Sequence, residues 1–97
     1  MALKKIINIH ASWCGPCAAF EKTFNNVSCK EEFNNIIFER YDLETPEGDD
    51  YAQKFNVKSI PSTILLDEND NQIVKVTGNI SEAEFIEIIN GVATSKK

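Results

Sequence analysis

Two cysteines three positions apart, in the run Trp13-Cys14-Gly15-Pro16-Cys17, are the residues of this chain best suited to chemistry. Gly15 allows a tight backbone turn, and the fixed φ of Pro16 suits the first turn of a helix, where an N–H is not needed. The run therefore predicts a helix that starts at Cys14. Because free N–H groups and the helix dipole favour a thiolate there, the pair is predicted to exchange between thiol and disulfide forms.

Position assigns different roles to the two thiols. Cys14, at the predicted helix start and beside Trp13, is expected to be the exposed nucleophile. Cys17 lies one turn further into the helix, so it is expected to be more buried and to resolve a mixed disulfide. The pair should therefore alternate between a dithiol and a redox-active disulfide.

A structural zinc site is the main alternative use for two cysteines at this spacing. Tetrahedral zinc needs four ligands, and the remaining cysteine and histidine are Cys29 and His10. Cys29 lies a predicted helix away from the motif, and His10 belongs to a predicted strand that points into the core. We therefore expect no metal ion.

The composition is that of a soluble globular protein. With 97 residues, 42% apolar and 26% charged, the chain is long enough for one domain, which we expect to span residues 1–97. The net charge of −5 argues against a nucleic-acid partner, and no apolar run reaches the length of a membrane span. We expect a monomer that binds neither nucleic acid nor membranes.

The cysteine count and the N-terminus bear on location. Three cysteines are too few, and odd in number, for a secreted disulfide scaffold. The apolar stretch at residues 3–10 is interrupted by Asn8 and runs directly into the cysteine motif, so it indicates a buried strand rather than a secretory signal. Both observations predict a cytoplasmic protein.

The apolar pattern predicts the elements that position the cysteine pair. Ile-rich runs at 3–10 and 36–43 are typical of strands, and runs at 63–66 and 72–76, separated by a polar turn, indicate a hairpin. Helices are expected after Pro16, from Thr45 and from Ser81, which forms a capping box with Glu84. The predicted order is β-α-β-α-β-β-α.

Three helix boundaries are predicted from local signals. The first helix should last two to three turns and break at Asn25-Asn26. Residues 28–31 have the form of a capping box, so a second short helix should start there and bury Phe33. Gly91 should end the last helix.

The order of elements and three sequence segments resemble the thioredoxin superfamily. The first segment is the motif at residues 13–17, at the first strand–helix junction. The second is the segment at residues 57–63, which is similar to the family's segment ending in a cis-proline that faces the disulfide. The third is a glycine after the last strand. On this resemblance the motif and substrate-groove residues are Trp13, Gly15, Pro16, Ile60, Pro61 and Gly78, with a backbone at Ile60 that pairs with an extended substrate.

The resemblance implies an α/β, thioredoxin-like fold. We expect a four-stranded mixed sheet in the order 2-1-3-4 with helices on both faces. Only 13 residues precede Cys14, so the strand and helix that usually come first in the family are expected to be absent. The polar interruption after Phe24 resembles the pattern of small bacterial thioredoxin-like domains with a broken first helix.

Three residues differ from those usual in the family, and a fourth is a nearby carboxylate. Asn8 occupies the position of a buried Asp that accepts the proton of the second thiol, and His10 occupies the position of an aromatic residue. Arg40 replaces a Lys on the next strand, and Glu21 is the nearest carboxylate along the first helix. These four residues are the candidates for tuning the thiols.

The resemblance implies an oxidoreductase that reduces disulfides of protein or small-molecule substrates and is recharged by a partner reductase. No organic cofactor is required. Two alternatives stay open: an adaptor that keeps the fold with little turnover, which Asn8 favours, and an oxidant or isomerase. The Gly15-Pro16 spacer resembles the reducing members of the family.

Overall fold

The computed structural model describes residues 3–94, and the ends of the expected domain, residues 1–2 and 95–97, lie outside it. Within this range the predicted order of strands and longer helices is confirmed, and the short segment predicted to bury Phe33 is a 3₁₀ helix. The elements are β1 (Leu3–His10), α1 (Gly15–Ser28), a 3₁₀ helix (Glu31–Phe33), β2 (Ile37–Asp42), α2 (Pro46–Lys54), β3 (Ser62–Asp67), β4 (Gln72–Thr77) and α3 (Glu82–Thr94).

The four strands form one mixed sheet in the order β2-β1-β3-β4, as predicted. β1 pairs with β2 in parallel, with Asn8 opposite Arg40 and His10 opposite Asp42. β3 runs antiparallel to both β1 and β4. Because β1 and β2 are parallel, their carboxyl ends meet at one edge of the sheet, and the cysteine motif follows β1 at that edge.

Helices cover both faces of the sheet. One apolar cluster packs Ile6 and Leu65 of the sheet against Phe20 and Phe24 of α1 and Phe85 of α3. A second cluster, on the other face, is formed by buried Ile7, Ile9, Ile64, Leu66 and Phe55, the last of which follows α2. Successive strand side chains alternate between faces, so the even-numbered residues of β1 face α1.

α1 is longer than the sequence predicted. It continues through Asn25 and Asn26 to Ser28, and no break occurs between them. Both Phe24 and Val27 are buried beneath this part of the helix. The free energy of burying these two side chains outweighs the weak helix propensity of two asparagines, which is a case of tertiary packing overriding local preference.

The predicted capping box at residues 28–31 was wrong. Ser28 is the last residue of α1, and its Oγ donates a hydrogen bond to the carbonyl oxygen of Asn25 at 2.8 Å. The segment that follows is a 3₁₀ helix with Lys30 before it and no side-chain cap, although it buries Phe33 as expected. Cys29 therefore ends α1 and does not start a second helix.

α3 begins as predicted and ends later than predicted. The backbone N–H of Glu84 donates to Ser81 Oγ at 3.1 Å, which is one half of the expected capping box. Gly91 does not stop the helix, which continues to Thr94. Val92 packs against the apolar cluster beneath α3, so extending the helix buries apolar surface. Among residues 3–94, no helix is both long enough and apolar enough to cross a membrane.

The connection from β2 to α2 is held by tight backbone contacts. Thr45 caps α2, since its Oγ1 accepts a hydrogen bond from the N–H of Gly48 at 3.0 Å, and Pro46 is the first helical residue. A Cβ on Gly48 would overlap the backbone carbonyl of Asp42. Only glycine therefore lets the first turn of α2 pack this closely on the end of β2.

Candidate active site

The reactive pair lies where β1 gives way to α1. Cys14 is the N-cap residue of α1, and it forms a disulfide with Cys17 across a Cα–Cα distance of 5.2 Å. The backbone N–H of Cys17 donates to Cys14 Sγ at 3.2 Å. This sulfur thus takes the place of the side-chain oxygen that usually caps a helix, where the N–H groups and the dipole also stabilise a thiolate.

Gly15 and Pro16 form the first turn of α1. Pro16 occupies one of the first helical positions, where its missing N–H leaves no carbonyl unsatisfied, as the sequence predicted. A Cβ on Gly15 would meet no atom within 4 Å. The conformational freedom that the sequence suggested for Gly15 is therefore not used in this oxidised form, in which the residue is helical.

Cys14 is more buried than expected for an exposed nucleophile, whereas Cys17 is buried as predicted. Cys14 is 7% exposed and Cys17 is 1% exposed. The two residues share a small apolar cluster with Ala11 and with Ile60, whose carbonyl oxygen lies 3.9 Å from Cys14 Sγ. The order of exposure agrees with the assigned roles, but access to Cys14 is narrow, because the loop before β3 lies against it.

The loop before β3 brings a second sequence segment to the disulfide. The Ile60–Pro61 peptide bond is cis, as the resemblance implied. The carbonyl oxygen of Pro61 accepts a hydrogen bond from the N–H of Gly78 at 2.8 Å, and Gly78 has a φ of +101°. A side chain at Gly78 would be strained at this φ, so glycine is required where β4 ends beside the cis-proline.

A groove opens beside Cys14. It has a volume of about 340 Å³, and its lining residues are Trp13, Leu43, Val57, Lys58, Ser59 and Ile60. Trp13 is 65% exposed, and its Nε1 donates to Glu44 Oε2 at 3.0 Å. Glu44 was not among the residues that the sequence predicted for the site. The parallel pairing of β1 and β2 was the available signal, since it places the residues after both strands at one edge.

Asn8 is completely buried and all of its polar atoms have partners. Its Nδ2 donates to the carbonyl oxygen of Ser62 and to Thr63 Oγ1, both at 3.3 Å, and its Oδ1 accepts from Arg40 Nε at 3.3 Å. Arg40 Nη1 in turn lies 3.5 Å from Glu21 Oε2. A chain of polar contacts therefore leads from β1 through β2 to α1, one helical turn after Cys17.

His10 lies at the end of the same strand face and is partly exposed. Its pKa is lowered from the usual value, first by burial and then by the positive charge of Arg40, while the carboxylates of Asp42 and Glu21 act in the opposite direction. The imidazole is consequently neutral at neutral pH. All four residues singled out for tuning are thus neighbours within one polar layer.

The third cysteine is remote from this site. Cys29 is exposed and follows the C-terminus of α1, about 20 Å along the helix from Cys14. Among residues 3–94, no group of three or more His, Cys, Asp or Glu side chains is arranged to hold a metal ion.

Comparison with known proteins gives one consistent family. The family model described as Thioredoxin matches residues 2–91. Thioredoxin Asp f 29 of Aspergillus fumigatus is 32% identical over 73 residues, which cover 75% of this chain and 64% of that protein. The thiol:disulfide interchange protein DsbD of Haemophilus influenzae is 31% identical over 85 residues. That match covers 82% of this chain, which spans only 15% of the length of DsbD.

Solved structures give the same fold. The thioredoxin NaTrxh of Nicotiana alata superposes with a TM-score of 0.80 at 26% identity, covering 96% of this chain and 76% of that chain. Fasciola hepatica thioredoxin superposes with a TM-score of 0.78 at 20% identity, covering 94% and 83% respectively. The second likeness, at its lower identity, concerns the fold alone.

Proposed function

This chain belongs to the thioredoxin family, and we propose that it works there as a reductase of disulfides in protein or small-molecule substrates. Its chemistry is thiol–disulfide exchange, because the family match is joined to a cysteine pair that closes a disulfide. We propose in addition that electrons flow from this protein to its substrates, and we propose the class of substrate and the partners.

The placement of Cys14 Sγ carries the proposal. This sulfur accepts the N–H of Cys17 at the start of α1, beside the cis-proline loop and the groove. In the reduced protein the Cys14 thiolate attacks one sulfur of a substrate disulfide and releases the first substrate thiolate. Cys17 then attacks Cys14 Sγ, the mixed disulfide breaks, and the second substrate thiolate leaves. Two electrons pass from the dithiol to the substrate.

The groove supports a substrate that binds as an extended segment. Apolar surface from Leu43, Val57 and Trp13 lines it, and Lys58 adds a positive charge at the same loop. A segment lying along Ile60 would bring its disulfide to Cys14, where the loop leaves a narrow approach. Trp13 is held in place for this contact by Glu44.

We also propose the setting in which the protein works. Each turnover oxidises the dithiol of this protein to the Cys14–Cys17 disulfide. A partner reductase must therefore reduce the disulfide again. The small and odd number of cysteines supports a cytoplasmic location. Thiol trapping in intact cells tests this location, because the pair should be mainly reduced there and mainly oxidised outside the cytoplasm. We propose that the protein is a monomer.

Reduction of insulin by dithiothreitol, followed by turbidity, tests the proposed reductase activity. We expect the protein to accelerate the reaction, Cys14→Ser to abolish the acceleration, and Cys17→Ser to abolish it while trapping mixed disulfides with insulin. Cys29→Ser is the matched control and should behave like the wild type, since Cys29 lies at the far end of α1. Wild-type protein that does not accelerate the reaction would instead indicate an adaptor.

A further inference from the structure

A layer of polar side chains lies between the sheet and the first turns of α1. Ile6 of β1 packs against Phe20 of α1, and the alternation of strand side chains puts Asn8 and His10 on the same face as Ile6. Arg40 of β2 joins this layer through its contact with Asn8. The layer thus begins where the apolar cluster beneath α1 ends.

The layer lies beneath the helical turn that carries Cys17. Cys17 packs in one cluster with Ala11, the residue directly after His10. Glu21 lies one helical turn after Cys17, so the two side chains share a side of α1. Glu21 also acts electrostatically on His10 and lies 3.5 Å from Arg40. His10 is therefore flanked by Ala11, which directly follows β1, and by the turn of α1 that carries Glu21.

Cys17 needs a proton acceptor within this layer. The residue is 1% exposed, so its thiol has little direct access to bulk water. Asn8 is fully hydrogen-bonded and does not titrate, and the Arg40 guanidinium has no acceptor atom. Glu21 is an exposed carboxylate that is paired with Arg40 at 3.5 Å. His10 is the one histidine of the chain, it is neutral at neutral pH, and it is partly exposed to water.

We propose that His10 is the base that accepts the proton of the Cys17 thiol, directly or through one water molecule, when Cys17 resolves the mixed disulfide. This inference rests on the exchange chemistry of the proposed function and assigns the proton transfer within it. The groups facing His10 are Asp42 and Arg40 from β2 and Glu21 from α1. Burial and then the positive charge of Arg40, which contacts Asn8 and Glu21, lower the pKa of the imidazole and so favour its neutral form between turnovers.

The step balances as follows. The Cys17 S–H bond breaks, and its proton moves to an imidazole nitrogen, which becomes an imidazolium. The Cys17 thiolate forms a bond with Cys14 Sγ, and the bond from Cys14 Sγ to the substrate sulfur breaks. The substrate sulfur leaves with the electron pair. The imidazolium then gives its proton either to this thiolate or to water, so His10 returns to its neutral form.

A single-turnover reaction with dithiobis(nitrobenzoate) isolates this step. The reduced Cys29→Ser protein, used to remove the third thiol, should release one coloured thiolate when Cys14 attacks and a second when Cys17 attacks. We expect His10→Gln to slow the second release on the order of a hundredfold or more near neutral pH, with the first release unchanged. The rate of the second release should also lose its dependence on pH around the pKa of His10.

Two comparisons decide the outcome. Lys22→Gln, a change at an exposed position of α1 next to Glu21, should leave both releases unchanged. His10→Gln that leaves the second release unchanged, or that slows both releases by one factor at every pH, would overturn the proposal. The probe needs no biological substrate, so a failure here is distinguishable from a failure to reduce insulin.

Nuclear magnetic resonance provides a test that does not depend on a variant of His10. Because the chain has one histidine, its imidazole C–H signals report His10 alone. In the reduced Cys14→Ser protein we expect the His10 titration to show a second inflection where Cys17 ionises, and Cys14→Ser combined with Cys17→Ser should lack it. Identical His10 titrations in the two proteins would overturn the proposal.

Discussion

At the scale of single residues, the chemistry of this site depends on how each polar atom is partnered. Cys14 Sγ accepts the N–H of Cys17 at the helix start, which is the contact that favours its thiolate. The buried amide of Asn8 donates two hydrogen bonds, to Ser62 and Thr63, and accepts one from Arg40. A carboxylate at this position would have the same shape without the donors, so the amide is specifically required by its surroundings.

We expect Asn8→Asp to lower the free energy of unfolding by about 1–3 kcal/mol at neutral pH, because the carboxylate would face the Ser62 carbonyl oxygen without a proton to donate. Burial raises the pKa of the introduced carboxyl above its unfolded value. The loss should therefore be largest above that pKa and should shrink as the pH falls and the carboxyl is protonated.

Urea unfolding at pH values on both sides of neutrality measures this effect. Asn35→Asp, at an exposed position, is the matched control and should change stability little at any pH. An Asn8→Asp protein as stable as the wild type at neutral pH would contradict the hydrogen-bond assignment for Asn8.

At the scale of elements, the sequence predicted the strands better than the helix ends. Strand runs such as residues 3–10 carry a continuous apolar pattern that survives in the structure. The ends of α1 and α3 depend instead on Val27 and Val92, which pack against residues distant in sequence. Asn25-Asn26 and Gly91 locally disfavour a helix, but the burial of apolar side chains outweighs this preference. A rule based on neighbouring residues alone does not include the free energy of that burial.

The β2–α2 connection is the element most sensitive to one atom. We expect Gly48→Ala to lower the free energy of unfolding by about 1–3 kcal/mol, because the added Cβ would overlap the backbone of Asp42, which cannot rotate away as a side chain can. If the Asp42 backbone moves to make room for the Cβ, it would also displace the two residues that follow it. Leu43 lines the groove, and Glu44 accepts the hydrogen bond from Trp13.

Urea unfolding of Gly48→Ala measures this cost. Gly91→Ala is the matched control, since a Cβ at that helical position meets no atom within 4 Å, and it should be neutral or slightly stabilising. Equal stability of the Gly48→Ala and Gly91→Ala proteins would contradict the close approach of α2 to β2.

At the scale of the whole molecule, the sheet gathers three distant segments at one edge. The cysteine pair, the cis-proline loop and Gly78 meet through the order β2-β1-β3-β4, which the family resemblance predicted. The contact between Trp13 and Glu44 and the chain from Asn8 to Glu21 could not be predicted in the same way. Both join side chains from different elements, and their distances follow from packing that a pattern of residue types does not specify.

The reduction potential of the Cys14–Cys17 couple distinguishes a reductase from an oxidant. The Cys29→Ser protein would be equilibrated in buffers of reduced and oxidised dithiothreitol, and the fraction of dithiol would be measured by alkylation. A reductase should show a potential more negative than about −230 mV, near the value of about −270 mV typical of thioredoxins. A potential more positive than about −230 mV would contradict the proposed reductase activity. The Cys14–Cys17 disulfide would then oxidise substrate thiols, whereas in a reductase the dithiol reduces substrate disulfides.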